Sequence, residues 1–244
     1  MTRDLMLLHG WAVTGRVWES VIPELATAFR VHNPGLPGYG GTDPNAGRYG
    51  ALSGQAILDL WSDECLARFP GGATWVGWSL GALVTLNAML RSPGAIAAAV
   101  LVSATPRFLR GDDWAPGVDT HVMRGFLEGM RSNDEKTLRR FTLLQSDDRR
   151  TSRALRACVA GGGAVPVLEA GLRVLEEADL RPELGRIDVP VRVVHGARDR
   201  IVPPAAGAWL AAHVAGGESV TLDAGHAPFV ECPREFTEAV LQWR

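Results

Sequence analysis

A chain of 244 residues, 46% hydrophobic and 21% charged, is long enough to bury a large core and has the composition of one compact globular domain. Its formal net charge of −2 argues against a molecule built to bind nucleic acid. Its three cysteines, Cys65, Cys158 and Cys232, are odd in number, far apart and without a CxxC spacing; they suggest neither a disulfide framework nor a zinc site and read as buried thiols in a reducing cytosol.

Short β-rich apolar runs alternate with longer helical patterns, the signature of a parallel sheet covered by helices. The first run, Leu5 to Leu8, is too short for the core of a signal peptide and leads directly into His9-Gly10-Trp11. Further strands are expected around Val31 and at Ala73 to Gly77, Ala97 to Val102, Val191 to His195 and Ser219 to Leu222. Each is a near-continuous apolar run of the kind buried on both faces. One helix is expected from about Ser53, a capping residue, to Phe69, where Pro70-Gly71-Gly72 ends it. Another starts just after Ser79 and stops near Arg91, ahead of Ser92-Pro93-Gly94. Two more are expected at roughly Pro203 to Val214 and Pro233 to Trp243, with proline at or near the first turn. No apolar run approaches the roughly 20 residues of a membrane span, so the protein is expected to be soluble and cytoplasmic.

Residues 106–182 break this alternation. They hold no convincing strand, are rich in charge, and are helical in pattern except at Gly161-Gly162-Gly163. They read as a helical lid inserted in a single domain of residues 1–244 and folded over its sheet.

The sharpest motif is Gly77-Trp78-Ser79-Leu80-Gly81, which follows a strand and opens a helix. This is the context of a nucleophile elbow, the tight turn that lifts a serine to the top of an α/β-hydrolase sheet. The glycines let neighbouring backbones approach, and the helix N-terminus favours developing negative charge beside the serine. A serine hydroxyl needs a base to take its proton, and in this fold the chain order is Ser, then acid, then His. Asp199, in Gly196-Ala197-Arg198-Asp199, and His226, in Ala224-Gly225-His226-Ala227-Pro228-Phe229, satisfy that order on loops at strand C-terminal ends.

His9 and His195 read as structural, His32 falls in or beside a strand, His121 lies in the insertion, and His213 suits a helix end. Asp223 is too close to His226 in sequence to sit behind its imidazole. An oxyanion hole needs two N–H donors: one from Leu80, the residue after the nucleophile, the other from the loop after the first strand, where Trp11 stands.

Beyond these motifs, the chain carries Leu7-Leu8-His9-Gly10-Trp11 with Trp18 close behind, Asp113-Trp114 and Pro116-Gly117, Arg140-Phe141-Thr142-Leu143-Leu144-Gln145, and Asp179-Leu180-Arg181. In these it resembles, over nearly its whole length, the pimeloyl-carrier-protein methyl ester carboxylesterases of biotin synthesis, a branch of the α/β-hydrolase superfamily. Ala82, where a further glycine is common, and Asn33 ahead of Pro34-Gly35, where an aspartate is usual, depart from that pattern. The resemblance implies hydrolysis of a methyl ester on a pimeloyl chain borne by acyl-carrier protein, with no cofactor and no metal, in a protein expected to be a monomer. It also implies substrate contacts at Trp11, Ser79, Leu80, Phe141, Thr142, Leu143, Leu144, Gln145 and His226.

The insertion adds a basic stripe. Residues 136–156 carry a net charge of +5, which falls to +3 when Asp134 and Glu135 are included. Lys136, Arg139, Arg140, Arg149, Arg153 and Arg156 are the candidate docking residues for an acidic carrier protein, and Arg149, Arg153 and Arg156 share one helical face. Other readings are a general short-chain carboxylesterase, a lactonase or a carbon–carbon bond hydrolase using the same three residues. A non-catalytic ligand receptor on this fold stands further off, because all three residues are present in order.

Overall fold

The computed structural model describes residues 3–40, 46–69, 71–132, 134–159 and 164–243. Its strands are β1 (Arg3–Leu8), β2 (Phe29–His32), β3 (Ala73–Trp78), β4 (Ile96–Val102), β5 (Val191–Gly196) and β6 (Glu218–Leu222). They form one wholly parallel sheet in the order β2-β1-β3-β4-β5-β6. The α-helices are α1 (Ile22–Leu25), α2 (Gly54–Arg68), α3 (Leu80–Arg91), α4 (Thr120–Ser132), α5 (Asp134–Leu144), α6 (Arg149–Val159), α7 (Val165–Glu177), α8 (Pro204–His213), α9 (Pro228–Glu231) and α10 (Pro233–Leu241). All six expected strands and all four expected helices outside the insertion form, and Ser53 caps α2 by accepting the Ala56 N–H at 3.2 Å. Pro70 and the Gly161-Gly162-Gly163 break lie outside the described residues. No helix among the described residues is long and apolar enough to cross a membrane.

Alternation along the strands builds a core on each side of the sheet. From β1, Met6 and Leu8 point to one side, where α2, α3 and α7 supply Trp61, Leu83 and Val174; Leu5 and Leu7 point to the other, against Trp18, Phe229 and Phe236. The inner strands β1 and β3 are buried on both faces, as expected. The edge strands are not: β2 is exposed or half-buried after Phe29, and no residue of β6 is fully buried. Each has a single strand neighbour, so its outer side meets solvent instead of a partner. The cysteines also depart in part from expectation, since Cys65 is buried, its thiol pushed up to about 12 by burial, whereas Cys158 and Cys232 are half-buried.

The chain order reverses at β1. It first builds outward to β2, then returns to place β3 on the other side of β1. Crevices open at such switch points, above the C-terminal ends of the strands. Here the loop after β1 and the turn after β3 stand side by side. A Cβ on Gly81 would come within 2.5 Å of the Leu8 carbonyl oxygen and 2.6 Å of that of His9, and one on Gly77 within 2.4 Å of the Gly81 oxygen. Only glycine lets the start of α3 lie this close to β1 and β3.

His9 locks the loop after β1. Its fully buried Nε2 accepts the Leu36 N–H at 3.0 Å, so the proton sits on Nδ1, which donates to the Gly10 carbonyl at 2.8 Å. Burial pulls this imidazole down to about 4, against a smaller upward effect of the bond to Gly10. Between its ordinary 6.5 and about 4 the unfolded chain therefore takes up a proton that the folded chain refuses, and stability falls with pH across that window. His9→Gln keeps an acceptor for Leu36 but cannot titrate. Urea denaturation should show the acid-induced loss of stability smaller in this variant by roughly 3 kcal/mol; an unchanged slope would contradict a neutral buried His9.

Candidate active site

Ser79 occupies the turn between β3 and α3 with φ 54° and ψ −112°, a left-handed conformation that a side chain rarely adopts. The turn is held from both sides. The Ser79 N–H donates to Val102 of β4 at 2.9 Å, and its carbonyl accepts from Ala82 at 2.9 Å and from Leu83 at 3.3 Å. Leu80 is the first residue of α3, and Trp11 follows Gly10 in the loop beside it.

Asp199 and His226 sit on loops that follow β5 and β6 and that touch. Ala197 N–H donates to Leu222 and Arg198 N–H to Ala224, and a Cβ on Gly196 would collide with the Gly225 carbonyl. His226 Nδ1 donates to Asp199 Oδ2 at 2.8 Å, with both side chains buried. The imidazole is placed by its own backbone: the His226 N–H donates to the Gln145 carbonyl at 2.8 Å, and its carbonyl accepts the Trp78 indole N–H at 2.7 Å. Trp78, the residue before Ser79, packs its ring 5.5 Å from the imidazole. His226 Nε2 is buried and has no hydrogen-bond partner among the described residues, so Ser79 and the imidazole are not hydrogen-bonded to each other.

Burial pushes the Asp199 carboxyl up, but the facing His226 and the hydrogen bonds from His195 and His226 outweigh it and hold the group well below the usual carboxylate range. Its other oxygen, Oδ1, accepts the N–H groups of Ile201 at 2.8 Å and Val202 at 2.9 Å. Asp223 is exposed and pairs with Arg198, away from His226.

The expected substrate residues separate into groups. Trp11, Phe141 and Leu144 line an apolar cavity of about 60 Å³ together with Phe126, Ile201 and Arg200; its lining does not include Ser79, Leu80 or His226. Phe141 meets the Trp11 ring edge-on at 4.9 Å, and the indole N–H of Trp11 donates to Leu168 of α7 at 2.8 Å. Thr142 and Leu143 line an outer groove instead. Gln145 is fully buried, its carbonyl on His226 and its side-chain amide without a partner among the described residues.

The basic residues do not form one face. Arg139, Arg149, Arg153 and Arg156 line the groove between α5 and α6, and Arg200 joins them there; Lys136 and Arg140 line a second groove, between α4 and α5. Successive residues on a helix point about 100° apart, so Arg139 and Arg140 serve different sides of α5.

Two features went unseen in the sequence. His195, taken as structural, places Nε2 3.2 Å from the same Asp199 oxygen that receives His226. Arg200 lines both the cavity and the outer groove, donates to the Leu143 carbonyl at 3.1 Å and pairs with Asp147 at 2.8 Å. The available signal was position alone: one residue ends the strand before the acid, and the other follows the acid directly.

Residues 5–239 match a family model described as alpha/beta hydrolase family. Over 248 aligned residues the chain is 37% identical to a pimeloyl-acyl-carrier protein methyl ester esterase of Sodalis glossinidius, covering 99% of this chain and 93% of that one. It is 36% identical over 240 residues to a protein of the same name from Nitrosomonas europaea, with 96% and 92% covered. Among solved structures, an esterase from Exiguobacterium antarcticum superposes with a TM-score of 0.86 at 19% identity, covering 99% of this chain and 91% of that one, a likeness of fold.

Proposed function

The chain belongs to the alpha/beta hydrolase family, and from that premise we propose that it is a serine carboxylesterase that hydrolyses the methyl ester of a pimeloyl chain carried on acyl-carrier protein, releasing methanol in biotin synthesis. Ser79 is the nucleophile, His226 the base and Asp199 the acid that orients it. The observation that carries this reading is the buried 2.8 Å bond between His226 Nδ1 and Asp199, next to a serine strained at the head of a helix. With Nδ1 donating to the carboxylate, Nε2 is the bare nitrogen, in the state that accepts a proton.

The steps follow from those roles. Nε2 of His226 takes the hydroxyl proton as Ser79 Oγ bonds to the ester carbonyl carbon. The imidazolium that forms is balanced by Asp199. The oxyanion is received by the N–H groups of Leu80 and Trp11, a reading supported by the close approach of Gly81 to Leu8 and His9. The carbon–oxygen bond to methanol then breaks, and the imidazolium returns its proton to the leaving oxygen. Water, deprotonated by the same nitrogen, attacks the acyl carbon; the bond to Ser79 Oγ then breaks, the imidazolium returns its proton to that oxygen, and the carboxylate is freed.

The substrate's chemistry suits the surroundings. An aliphatic chain is matched by the apolar cavity under Trp11 and Phe141, and an acidic carrier by the arginines of the groove beside α5 and α6. Arg200 connects the two. On this reading the protein works as a monomer in the cytoplasm, with acyl-carrier protein as its partner.

Ser79→Ala should abolish hydrolysis of the carrier-linked methyl ester while leaving the protein folded, and Asp199→Asn should lower turnover by roughly 10⁴-fold, since the imidazole then adopts the wrong tautomer. Methanol release retained in Ser79→Ala would sink the assignment. Raising ionic strength from about 0.01 M to 0.15 M shortens the screening length from about 30 Å to 8 Å. It should cut kcat/KM on the carrier-linked ester by about tenfold or more and on a small soluble methyl ester by less than about twofold. Equal salt sensitivity would remove the arginine groove from the account.

A further inference from the structure

We infer that His195 is a positioning residue for the same chemistry: its ring N–H, held by the Val202 carbonyl, stands beside the Asp199 oxygen that receives His226 and fixes that oxygen in place. The inference rests on the reading of Asp199 and His226 as orienting acid and base.

A buried carboxylate has about four acceptor sites, and each one left empty costs stability. On Asp199 three are hydrogen-bonded: Ile201 and Val202 donate to Oδ1 at 2.8 and 2.9 Å, and His226 donates to Oδ2 at 2.8 Å. His195 Nε2, whose N–H donates to the Val202 carbonyl at 3.0 Å, also stands 3.2 Å from Oδ2. A nitrogen facing a carboxylate and a carbonyl must carry the proton, which leaves Nδ1 bare. That atom is buried and without a partner among the described residues, pressed against α8, where a Cβ on Gly207 would lie 2.3 Å from it. A second proton on this ring would bury an N–H with nothing to accept it, so His195 serves as a neutral donor.

The consequence for the base is twofold. The carboxylate cannot rotate about its Cβ–Cγ bond without breaking the His195 contact, so Oδ2 stays aimed at His226. The positive end of the His195 N–H dipole also stands beside the oxygen that balances the imidazolium, and so opposes the charge that His226 acquires when Ser79 gives up its proton. The other groups around these three do not supply a competing charge at Oδ2. Glu231 is engaged by the Gly225 N–H at 2.9 Å and by Arg198, Arg198 also pairs with Asp223, and Arg200 is turned to Asp147 at 2.8 Å. From β3 comes the Trp78 ring, and from α8 the backbone of Gly207.

The test uses a fluorophosphonate and follows the rate of Ser79 labelling across pH by mass spectrometry, a readout independent of the natural ester. In His195→Phe the plateau rate should fall about tenfold, because the carboxylate loses the N–H dipole that steadies its Oδ2. The acid limb should move up by about half a pH unit, because the imidazolium loses an opposing dipole. His195→Asn, too short to reach Oδ2, should do the same with a polar side chain in place, so the comparison survives if His195→Phe does not fold. His195→Gln, whose amide N–H reaches the oxygen, should restore most of both effects. Phe or Asn variants that label with the wild-type rate and acid limb overturn the inference, as does a Gln variant no closer to wild type than they are. Wild-type protein that is not labelled at Ser79 overturns the nucleophile reading, and this inference with it.

Discussion

A carboxylate taken out of water must be matched by donors, or it will take up a proton and lose its charge. Asp199 meets this demand at the end of β5, where its loop turns back so that the N–H groups of Ile201 and Val202 close on one oxygen and two imidazoles close on the other. Much of the surrounding architecture serves to bring His226 to that oxygen. The loop after β6 is bonded to the Asp199 loop through Ala197 and Arg198. The His226 backbone is then gripped by Trp78 from β3 and by Gln145 at the end of α5. The imidazole is thus set by the sheet, by its own loop and by the helical insertion at once.

This arrangement couples α5 to His226. Gln145 holds His226 through its carbonyl, while Phe141 and Leu144, at the end of α5 just before it, line the cavity beside Trp11. Arg200, next to Asp199, reaches out to Leu143 and Asp147. A movement of α5 therefore acts on His226, on the cavity wall and on the outer groove together.

Much of the fold was legible because buried parallel strands are written as unbroken runs of Val, Leu, Ile and Ala, and because Ser53, Pro203 and Pro233 mark helix starts by well-understood chemistry. The exposure of β2 and β6 was not legible, since an edge and an interior strand differ in neighbours more than in letters. The turn at Ser79 and the contact of Asp199 with His226 could be anticipated because strand–turn–helix context and chain order are local properties. The pairing of His195 with Asp199 depends on how a four-residue loop folds back, and no spacing reveals that. The division of Lys136 and Arg140 from Arg139 and the α6 arginines was open to helical geometry. Charge counted along a segment ignores which side of a helix each residue occupies.

The bond between His226 and Asp199 is open to direct observation. Proton NMR of the folded protein should show an imidazole N–H resonance far downfield of the backbone amides. That resonance should be absent in His226→Gln, lost in Asp199→Asn and retained in Ser79→Ala. Downfield spectra that are the same for native protein and His226→Gln would contradict the account, because no proton would then be held between this base and this acid.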